Sequence, residues 1–411
     1  MGNKAYPPSI TPGIPCLGRC PQVWSKTTFG DVLRVVERPA VLEDDKEYQL
    51  VNAKRNRGGI VPRERLTGRE IKTKGQYFVR AGDFLIANRQ IIHGACGIVP
   101  PELDGALVSG EYTVLLPKNG LHLPWFSYFT HTAYFQLTCF HSSIGVDVEK
   151  MVFKLEWWLK HELNVPPLGE QEKTAEILSI WDTALDQIRA LVTAAKRRKK
   201  ALMQKLLTGK KRLPGFSGRW RVARIGDRAR CFSGGTPLSS RPDFYLGDIP
   251  WIKSGELNKR DIWTTGDHIT TEAVSSSSAK YIEPNTLLLA LYGATAGIPA
   301  FARIRATINQ AVLALVPTSS VETYFLYYWL TANRQRIIAT YCQGGQPNLT
   351  AGIVQEIEFP EPTPAEQRAI AAVLTTADEE IKSLEAKCTA LERQKKGLMQ
   401  KLLTGEVRVK G

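Results

Sequence analysis

Polar side chains in two stretches of the chain carry the donor and acceptor groups that read base edges in a nucleic-acid groove. Arg89 and His93 stand between two short apolar segments, and an arginine can hold a guanine with two hydrogen bonds. Amides such as those of Asn309 and Gln310 suit adenine. Taken singly, each candidate fits a turn or a packing position equally well. The candidate contact residues are Lys54, Arg55, Arg57, Arg89, His93, Lys253, Ser254, Tyr292, Thr295, Asn309, Gln310, Gln346 and Asn348.

Basic residues cluster between Lys54 and Lys74 in the first half of the chain. A surface that faces nucleic-acid phosphates is one interpretation of this cluster, and a solvated face of the protein is the other. In the second half, the loop at 234–237 is glycine-rich and could approach phosphates closely. It lacks the Gly-Lys-Ser/Thr ending of a nucleotide-binding loop, so nucleotide binding is not expected.

Residues for catalysis are not evident. An autonomous DNA methyltransferase would need an Asp- or Asn-Pro-Pro-aromatic motif, but the Pro-Pro pairs are followed by Ser9, Glu102 and Leu168. The seven cysteines are scattered, and only Cys16 and Cys20 are close together, so we expect reduced thiols and no zinc site. The sequence therefore predicts a protein that is not an enzyme.

The charge balance of the chain favours a polyanionic partner. Its 411 residues include 54 lysines and arginines against 40 aspartates and glutamates, which gives a net charge of +14. Such an excess fits nucleic acid, although it also promotes solubility. The N-terminus lacks the features of a signal peptide and no long apolar stretch occurs, so we expect a cytoplasmic location without membrane attachment.

An internal repeat organises the whole chain. A shift of 196 positions places residues 166–209 on 362–405 without a gap, and 20 of the 44 positions are identical. The string LMQKLLTG closes both copies, and the same shift places Trp24 on Trp220. Between these anchors the two halves diverge. A duplication explains a chain that is alike at the ends of each half and different in the middle.

Each repeated segment is predicted to be a long helix that begins after prolines and ends at Thr-Gly. Apolar positions recur in steps of three and four, the spacing of a coiled-coil seam. Lys199 and Lys395 interrupt the seams at equivalent positions, where they either fix the register or extend to solvent. The basic run at 196–200 suits either phosphate contact or the helix dipole. The seam positions are Leu185, Ile188, Val192, Ala195, Lys199, Leu202 and Leu206, then Ile381, Leu384, Cys388, Leu391, Lys395, Leu398 and Leu402.

The variable regions show short apolar segments bounded by turn residues, with helical stretches such as Trp125–Phe135 and Tyr324–Ile338 between them. The predicted fold class is mixed α/β, with two similar domains joined by two long helices in an antiparallel intramolecular coiled coil. The predicted domains are 13–164 for the first α/β domain, 165–210 for the first long helix, 211–360 for the second α/β domain and 361–407 for the second long helix.

Together these motifs resemble the specificity (S) subunits of type I restriction-modification enzymes. The second half carries SGGTP, DIPWIKSGEL, YGATAG, TINQAV and PTPAEQRAI, and the first half carries GACGIVPPELDGALVS and PPLGEQ. Both halves carry LMQKLLTG. The resemblance covers nearly the whole chain. It departs at 146–165, where the first half is longer than the second, so no DNA-contacting role is carried over to that segment.

The resemblance implies two target-recognition domains that each read one part of a bipartite site in double-stranded DNA. It also implies a pseudo-twofold relation between the halves, and helices that dock two methyltransferase (M) subunits, with restriction (R) subunits in the full complex. S-adenosylmethionine, ATP and magnesium would belong to those partners, and this chain would hold no cofactor. The alternative is a stand-alone or regulatory DNA-binding coiled-coil protein without an active partner enzyme.

Overall fold

A computed structural model describes residues 6–73, 75–145, 147–342 and 347–409. The chain forms two compact units, one made of Met1–Ile188 and Lys387–Gly411 and the other of Arg189–Ala386. Each unit contains one α/β domain and a part of both long helices. The predicted domain boundaries lie at the helix ends, whereas the compact units divide each helix, because each part of a helix packs with the domain of its own unit.

The first unit contains two main sheets and a group of short helices. One sheet has the order β2-β10-β7-β8, and the other has the order β3-β6-β9-β4-β5. Its strands are β1 (Ser25–Thr28), β2 (Leu33–Val35), β3 (Pro39–Ala40), β4 (Glu47–Ala53), β5 (Ile60–Thr67), β6 (Gln76–Phe78), β7 (Phe84–Ala87), β8 (Cys96–Ile98), β9 (Leu107–Ser109), β10 (Tyr112–Pro117), β11 (Ser143–Ile144), β12 (Val152–Phe153) and β13 (Glu162–Val165). Its helices are α1 (Phe29–Val32), α2 (Leu123–Phe129), α3 (Ala133–His141), α4 (Leu155–Trp158) and the first part of α5 (Leu168–Leu206).

The second unit has the same kind of construction. Its sheets have the orders β15-β23-β20-β21-β17 and β18-β16-β22-β19. Its strands are β14 (Arg221–Arg224), β15 (Ala229–Ser233), β16 (Ile249–Ile252), β17 (Asp261–Ile262), β18 (His268–Ile269), β19 (Lys280–Ile282), β20 (Thr286–Ala290), β21 (Pro299–Ala302), β22 (Ala306–Ile308), β23 (Val312–Pro317) and β24 (Glu358–Glu361). Its helices are α6 (Ile225–Arg228), α7 (Thr271–Ser275), α8 (Thr323–Tyr341), α9 (Ala351–Glu356) and the first part of α10 (Pro364–Thr404).

These elements confirm the predicted α/β fold class with two long helices. The helix expected at Tyr324–Ile338 is α8. The helical stretch expected at Trp125–Phe135 is divided between α2 and α3, because the chain turns between them. There the Thr132 hydroxyl accepts a hydrogen bond from the Phe135 amide and starts a new helix.

An aromatic core fills the first domain beneath its helices. Trp158 stacks on Phe29 with ring centroids 4.3 Å apart, and both side chains are fully buried. Phe126 and Phe135 pack edge-on against Phe29. In the second unit the equivalent space is lined by α8, whose Phe325 and other apolar side chains face the sheet. These cores pack strands and helices of each unit together.

The helix parts within each unit run antiparallel, because the beginning of one helix lies against the end of the other. In the first unit Lys395, near the end of α10, forms an ion pair with Asp182 of α5. In the second unit Lys199, near the end of α5, forms the same pair with Asp378 of α10. Both seam lysines are therefore tied to an aspartate of the opposite helix, which favours the interpretation that they fix the register.

A tyrosine from each α/β domain joins this ion pair. The Tyr128 hydroxyl donates to Asp182 at 2.7 Å, and the Tyr328 hydroxyl donates to Asp378 at 2.6 Å. Burial, followed by the hydrogen bond to Asp182, raises the pKa of Tyr128, so its hydroxyl keeps the proton that it donates. The second unit adds Arg260, whose guanidinium donates to Asp378 at 2.8 Å.

We expect Asp378→Ala to lower the free energy of unfolding of the second unit by about 2 kcal/mol, because Lys199 and Arg260 would then be left without their shared anion in a poorly solvated position. The Asp378 side chain is 17% exposed. Asp182→Ala is the matched control: that side chain is 45% exposed, so solvent screening limits the destabilisation to about 1 kcal/mol or less. Urea denaturation of both variants measures the difference, and equal destabilisation would contradict this account.

Candidate nucleic-acid interface

Two short 3-10 turns meet in the first domain at the candidate residues. One turn spans Arg55–Arg57 between β4 and β5, and the other spans Ile91–His93 between β7 and β8. The backbone amide of Arg57 donates to the carbonyl of Gly94 at 2.8 Å, which joins the two turns. Asn56 and Arg57 both have left-handed backbone angles, with φ of 58° and 57°. This unusual bend turns neighbouring side chains in different directions.

The candidates of the first turn separate into surface and interior positions. Arg55 and Lys54 are exposed. Arg55 donates from Nε to the Gln90 side chain at 2.7 Å and pairs with Glu149 at 2.6 Å. Arg57 points inward instead, where its Nε donates to the Thr130 carbonyl at 2.9 Å and burial lowers its pKa. Arg57 therefore supports the turn, while Arg55 and Lys54 are available to a ligand.

One surface candidate lies in the loop that leads into the second turn, and one buried candidate lies in the turn itself. The Arg89 side chain is 63% exposed and pairs with Glu111 at 2.6 Å. His93 has no exposed surface and lies 2.8 Å from the Ser9 hydroxyl. The prediction that His93 reads bases is wrong for this structure, because a buried side chain cannot reach a base edge. Burial lowers the pKa of His93 and favours the neutral imidazole.

Strand ends bring the candidates of the second domain together. Strands β16 and β22 run parallel, with Ile252 beside Ile308, so the residues that follow them leave the same edge of the sheet. Lys253 and Ser254 follow β16, and Asn309 and Gln310 follow β22. The Gln310 side chain accepts a hydrogen bond from the Thr236 hydroxyl, which joins the glycine-rich loop to this edge.

The glycines of that loop serve packing against a strand backbone. A Cβ atom on Gly234 would lie 1.7 Å from the carbonyl oxygen of Ile308. The Gly235 amide donates to the same carbonyl at 3.1 Å. The sequence suggests that this glycine-rich loop approaches phosphates closely. In the structure the loop packs closely against the end of β22.

The remaining candidates lie beside this edge. The 3-10 turn Gly293–Thr295 contacts the turn Ser254–Asn258, as the two turns do in the first domain. Tyr292 forms an isolated β-bridge with Asn348, and the Gly293 amide donates to the Pro347 carbonyl at 3.0 Å. Gln346 lies outside the described residues.

Not all of these side chains are available at the surface. Asn309 is buried and its Oδ1 accepts from the Ala311 amide at 3.1 Å, so it shapes the turn after β22. The Thr295 hydroxyl donates to the Tyr292 carbonyl at 3.2 Å. Lys253 pairs with Asp267 at 2.7 Å and lies over the Trp251 ring. Tyr292, Gln310 and Asn348 are exposed and provide an aromatic ring and two amides.

Sequence reasoning missed some residues beside these turns. Trp263 is 66% exposed and lies two residues before Thr265, whose hydroxyl donates to Glu256 in the turn Ser254–Asn258. Its signal is an aromatic residue directly after a two-residue strand in the polar stretch DIWTTGD. Gln90 is the other omission, since it holds the Arg55 guanidinium.

Metal-binding clusters and membrane-spanning helices are absent from the part of the chain that the structure describes. There, no three His, Cys, Asp or Glu side chains come together in a way that could hold a metal ion. No helix within the described ranges has both the length and the apolar character to cross a membrane.

Family comparison accounts for the two similar halves. A family model described as the type I restriction modification DNA specificity domain matches residues 21–193 and again residues 218–393. The chain belongs to this family. Each match begins shortly before the first strand of an α/β domain and ends within α5 or α10. The family membership expected from the motifs is confirmed.

Curated members of the family show how far the similarity extends. The type I restriction enzyme MjaIX specificity subunit of Methanocaldococcus jannaschii is 31% identical over 179 residues, which are 42% of this chain and 41% of that protein. The MjaVIII specificity subunit of the same organism is 22% identical over 417 residues, or 95% of each protein. The chain thus matches about two fifths of the first relative and nearly all of the second.

A solved structure shares the fold. The crystal structure of the HsdS subunit from Thermoanaerobacter tengcongensis is similar to this chain with a TM-score of 0.55. The sequences are 19% identical, and the match covers 95% of this chain and 99% of that chain. At this level of identity the similarity concerns the fold, which agrees with two α/β domains and two long helices.

We expect Gly234→Ala to destabilise the second unit by about 3 kcal/mol, because the added methyl group would overlap the Ile308 carbonyl and displace the edge that carries Gln310. Gly255→Ala is the matched control in the neighbouring turn, where a Cβ atom would have no neighbour within 4 Å. Thermal unfolding compares the two variants. A Gly234→Ala protein as stable as the control would show that the loop does not pack on β22.

Proposed function

We propose that this chain is the specificity subunit of a type I restriction-modification enzyme and that each α/β domain reads one part of a bipartite target in double-stranded DNA. The observation that carries the proposal is the repeated pair of turns at the strand ends. In both domains these turns gather polar side chains at the ends of sheet strands, while equivalent Lys–Asp–Tyr contacts join the helices to the domain in both units. Domains that share a frame and differ in their turns are suited to two different sequences.

The exposed candidates have the chemistry for this role. Arg55 and Arg89 in the first domain can form paired hydrogen bonds to guanine, and Gln310 and Asn348 in the second can do so to adenine. Lys54 is suited to phosphate. The net charge of +14 supports attraction to DNA in general.

We assign the chemical steps to partner proteins. The methyltransferase subunits, two for one copy of this chain, would bind the long helices, and restriction subunits would complete the assembly. S-adenosylmethionine, ATP and magnesium would belong to those subunits, and this chain would supply recognition without catalysis. The alternative of a stand-alone or regulatory DNA-binding protein is not favoured by the family match.

Methylation mapping tests the proposal directly. The chain is co-expressed with a type I methyltransferase subunit of its own system, and modified adenines are located by sequencing the host DNA. A single split motif that is methylated only when this chain is present is the expected result. Methylation that does not change with the chain, in the presence of a demonstrably active partner, would contradict the proposal.

We expect Arg89→Ala to weaken recognition of one part of the split motif by about 1–3 kcal/mol for each base that the arginine reads, without a change in folding. Arg80→Ala is a matched control, because Arg80 is a similarly exposed arginine paired with Asp104 and is not among the candidate contact residues. Binding to duplexes that vary one part of the motif at a time gives the measurement. An equally weakened affinity for all DNA would identify Arg89 as a phosphate-binding residue instead.

A further inference from the structure

The segment before β1 forms an arm that reaches the turns of the first domain. Ile10 is buried in a small apolar cluster with Ile92 and Met151. The Tyr6 ring packs edge-on against Phe140 with centroids 5.6 Å apart. The Thr11 hydroxyl donates to the side chain of Gln136 at 2.8 Å. Three separate contacts therefore hold residues 6–11 on the domain surface.

This arm distinguishes the first half of the chain from the second. A shift of 196 positions places Tyr6–Gly13 on Leu202–Gly209, which form the end of helix α5 and the turn after it. Both domains place a pair of turns at strand ends, but the position equivalent to Ser9 in the second half is Lys205 of helix α5.

Ser9 connects the arm to the buried histidine of the second turn. The Ser9 hydroxyl lies 2.8 Å from Nδ1 of His93. Nε2 of His93 is buried and has no hydrogen-bond partner among the described residues. The nearest carboxylate oxygen, Oε1 of Glu149, is 3.5 Å away. A buried polar atom without a partner is uncommon and calls for an explanation.

The same carboxylate holds the exposed arginine of the first turn. Arg55 donates from Nη2 to Oε2 of Glu149 at 2.6 Å and from Nη1 to Oε1 at 3.4 Å. Its Nε donates to Gln90, which directly precedes the turn of His93. Ser9, His93, Glu149 and Arg55 thus lie in order from the arm to a residue at the candidate interface, with the 3.5 Å separation between His93 and Glu149 as the widest step.

We propose that the N-terminal arm is a positioning element for Arg55, acting through His93 and Glu149. The inference rests on the proposed function, because it takes Arg55 as a DNA-binding residue. When Ser9 donates to Nδ1, the ring proton of the neutral imidazole is on Nε2 and faces Glu149. That N–H stabilises the carboxylate when Arg55 leaves it for DNA. The arm therefore sets how readily Arg55 is released from Glu149.

Single substitutions in the arm test this role in the full chain bound to its methyltransferase partner. We expect Ser9→Ala to reduce discrimination against altered targets by about three- to tenfold, the effect of one hydrogen bond. The reduction should fall on the part of the target that Arg55→Ala also affects. Ser9→Thr keeps the hydroxyl and should restore discrimination. Thr11→Ala is the matched control, because it removes an arm hydrogen bond of the same length that does not involve His93.

A double-mutant cycle separates positioning from general stability. In the Arg55→Ala background, Ser9→Ala should cause no further reduction of discrimination, because the arginine that the arm positions is absent. An additive reduction, or a reduction of equal size on both parts of the target, would overturn the inference. Thermal unfolding of each variant excludes a folding defect as the cause.

The outcome of this experiment also distinguishes the inference from the proposed function. If the unaltered complex binds every duplex equally, the proposed function fails and the inference fails with it. If the unaltered complex is specific and Ser9→Ala behaves as Thr11→Ala does, only the inference fails.

Discussion

Buried carboxylates and amides on the two long helices hold each α/β domain in place. Glu170 accepts hydrogen bonds from Trp24 and Arg408, and Glu366 accepts them from Trp220 and Arg212. Burying a carboxylate costs free energy unless the charge is paired and hydrogen-bonded. These contacts therefore favour one position of each domain along its helix. The adjacent glutamines extend the same arrangement, since Gln171 accepts from the His122 amide and Gln367 from the Glu322 amide. Because these side chains anchor each domain to the helices, they also determine where its pair of turns lies.

The two long helices and their equivalent seam positions could be predicted from the repeat. The residues with which those positions pair could not. The positions Asp182 and Asp378 are identical under the shift of 196, as are Lys199 and Lys395, and the heptad spacing identified both lysines as seam residues. Their pairing with aspartates of the opposite helix depends on the direction and stagger of two helices, which no single-helix pattern contains. The tyrosines that complete the pairs come from helices more than 40 residues away along the chain.

The candidate interface was less predictable because it consists of turns. The sequence marked Arg55 and Arg57 alike, but the left-handed angles of Asn56 and Arg57 place one guanidinium at the surface and the other in the interior. His93 and Asn309 are likewise chemically suited to bases and structurally committed to the core. Composition reveals which groups are available in a turn. The backbone bend, which has no periodicity, decides which of them face outward.

Three of the cations at the interface already have carboxylate partners within the chain. Arg55 is paired with Glu149, Arg89 with Glu111 and Lys253 with Asp267. A phosphate or base that engages one of these groups must displace a carboxylate, so the electrostatic gain is an exchange of partners and smaller than the charge of the free group suggests. We expect such a surface to bind arbitrary DNA more weakly than its net charge suggests. It favours ligands that form better hydrogen bonds with these cations than the internal carboxylates do. The internal carboxylates therefore increase selectivity among ligands.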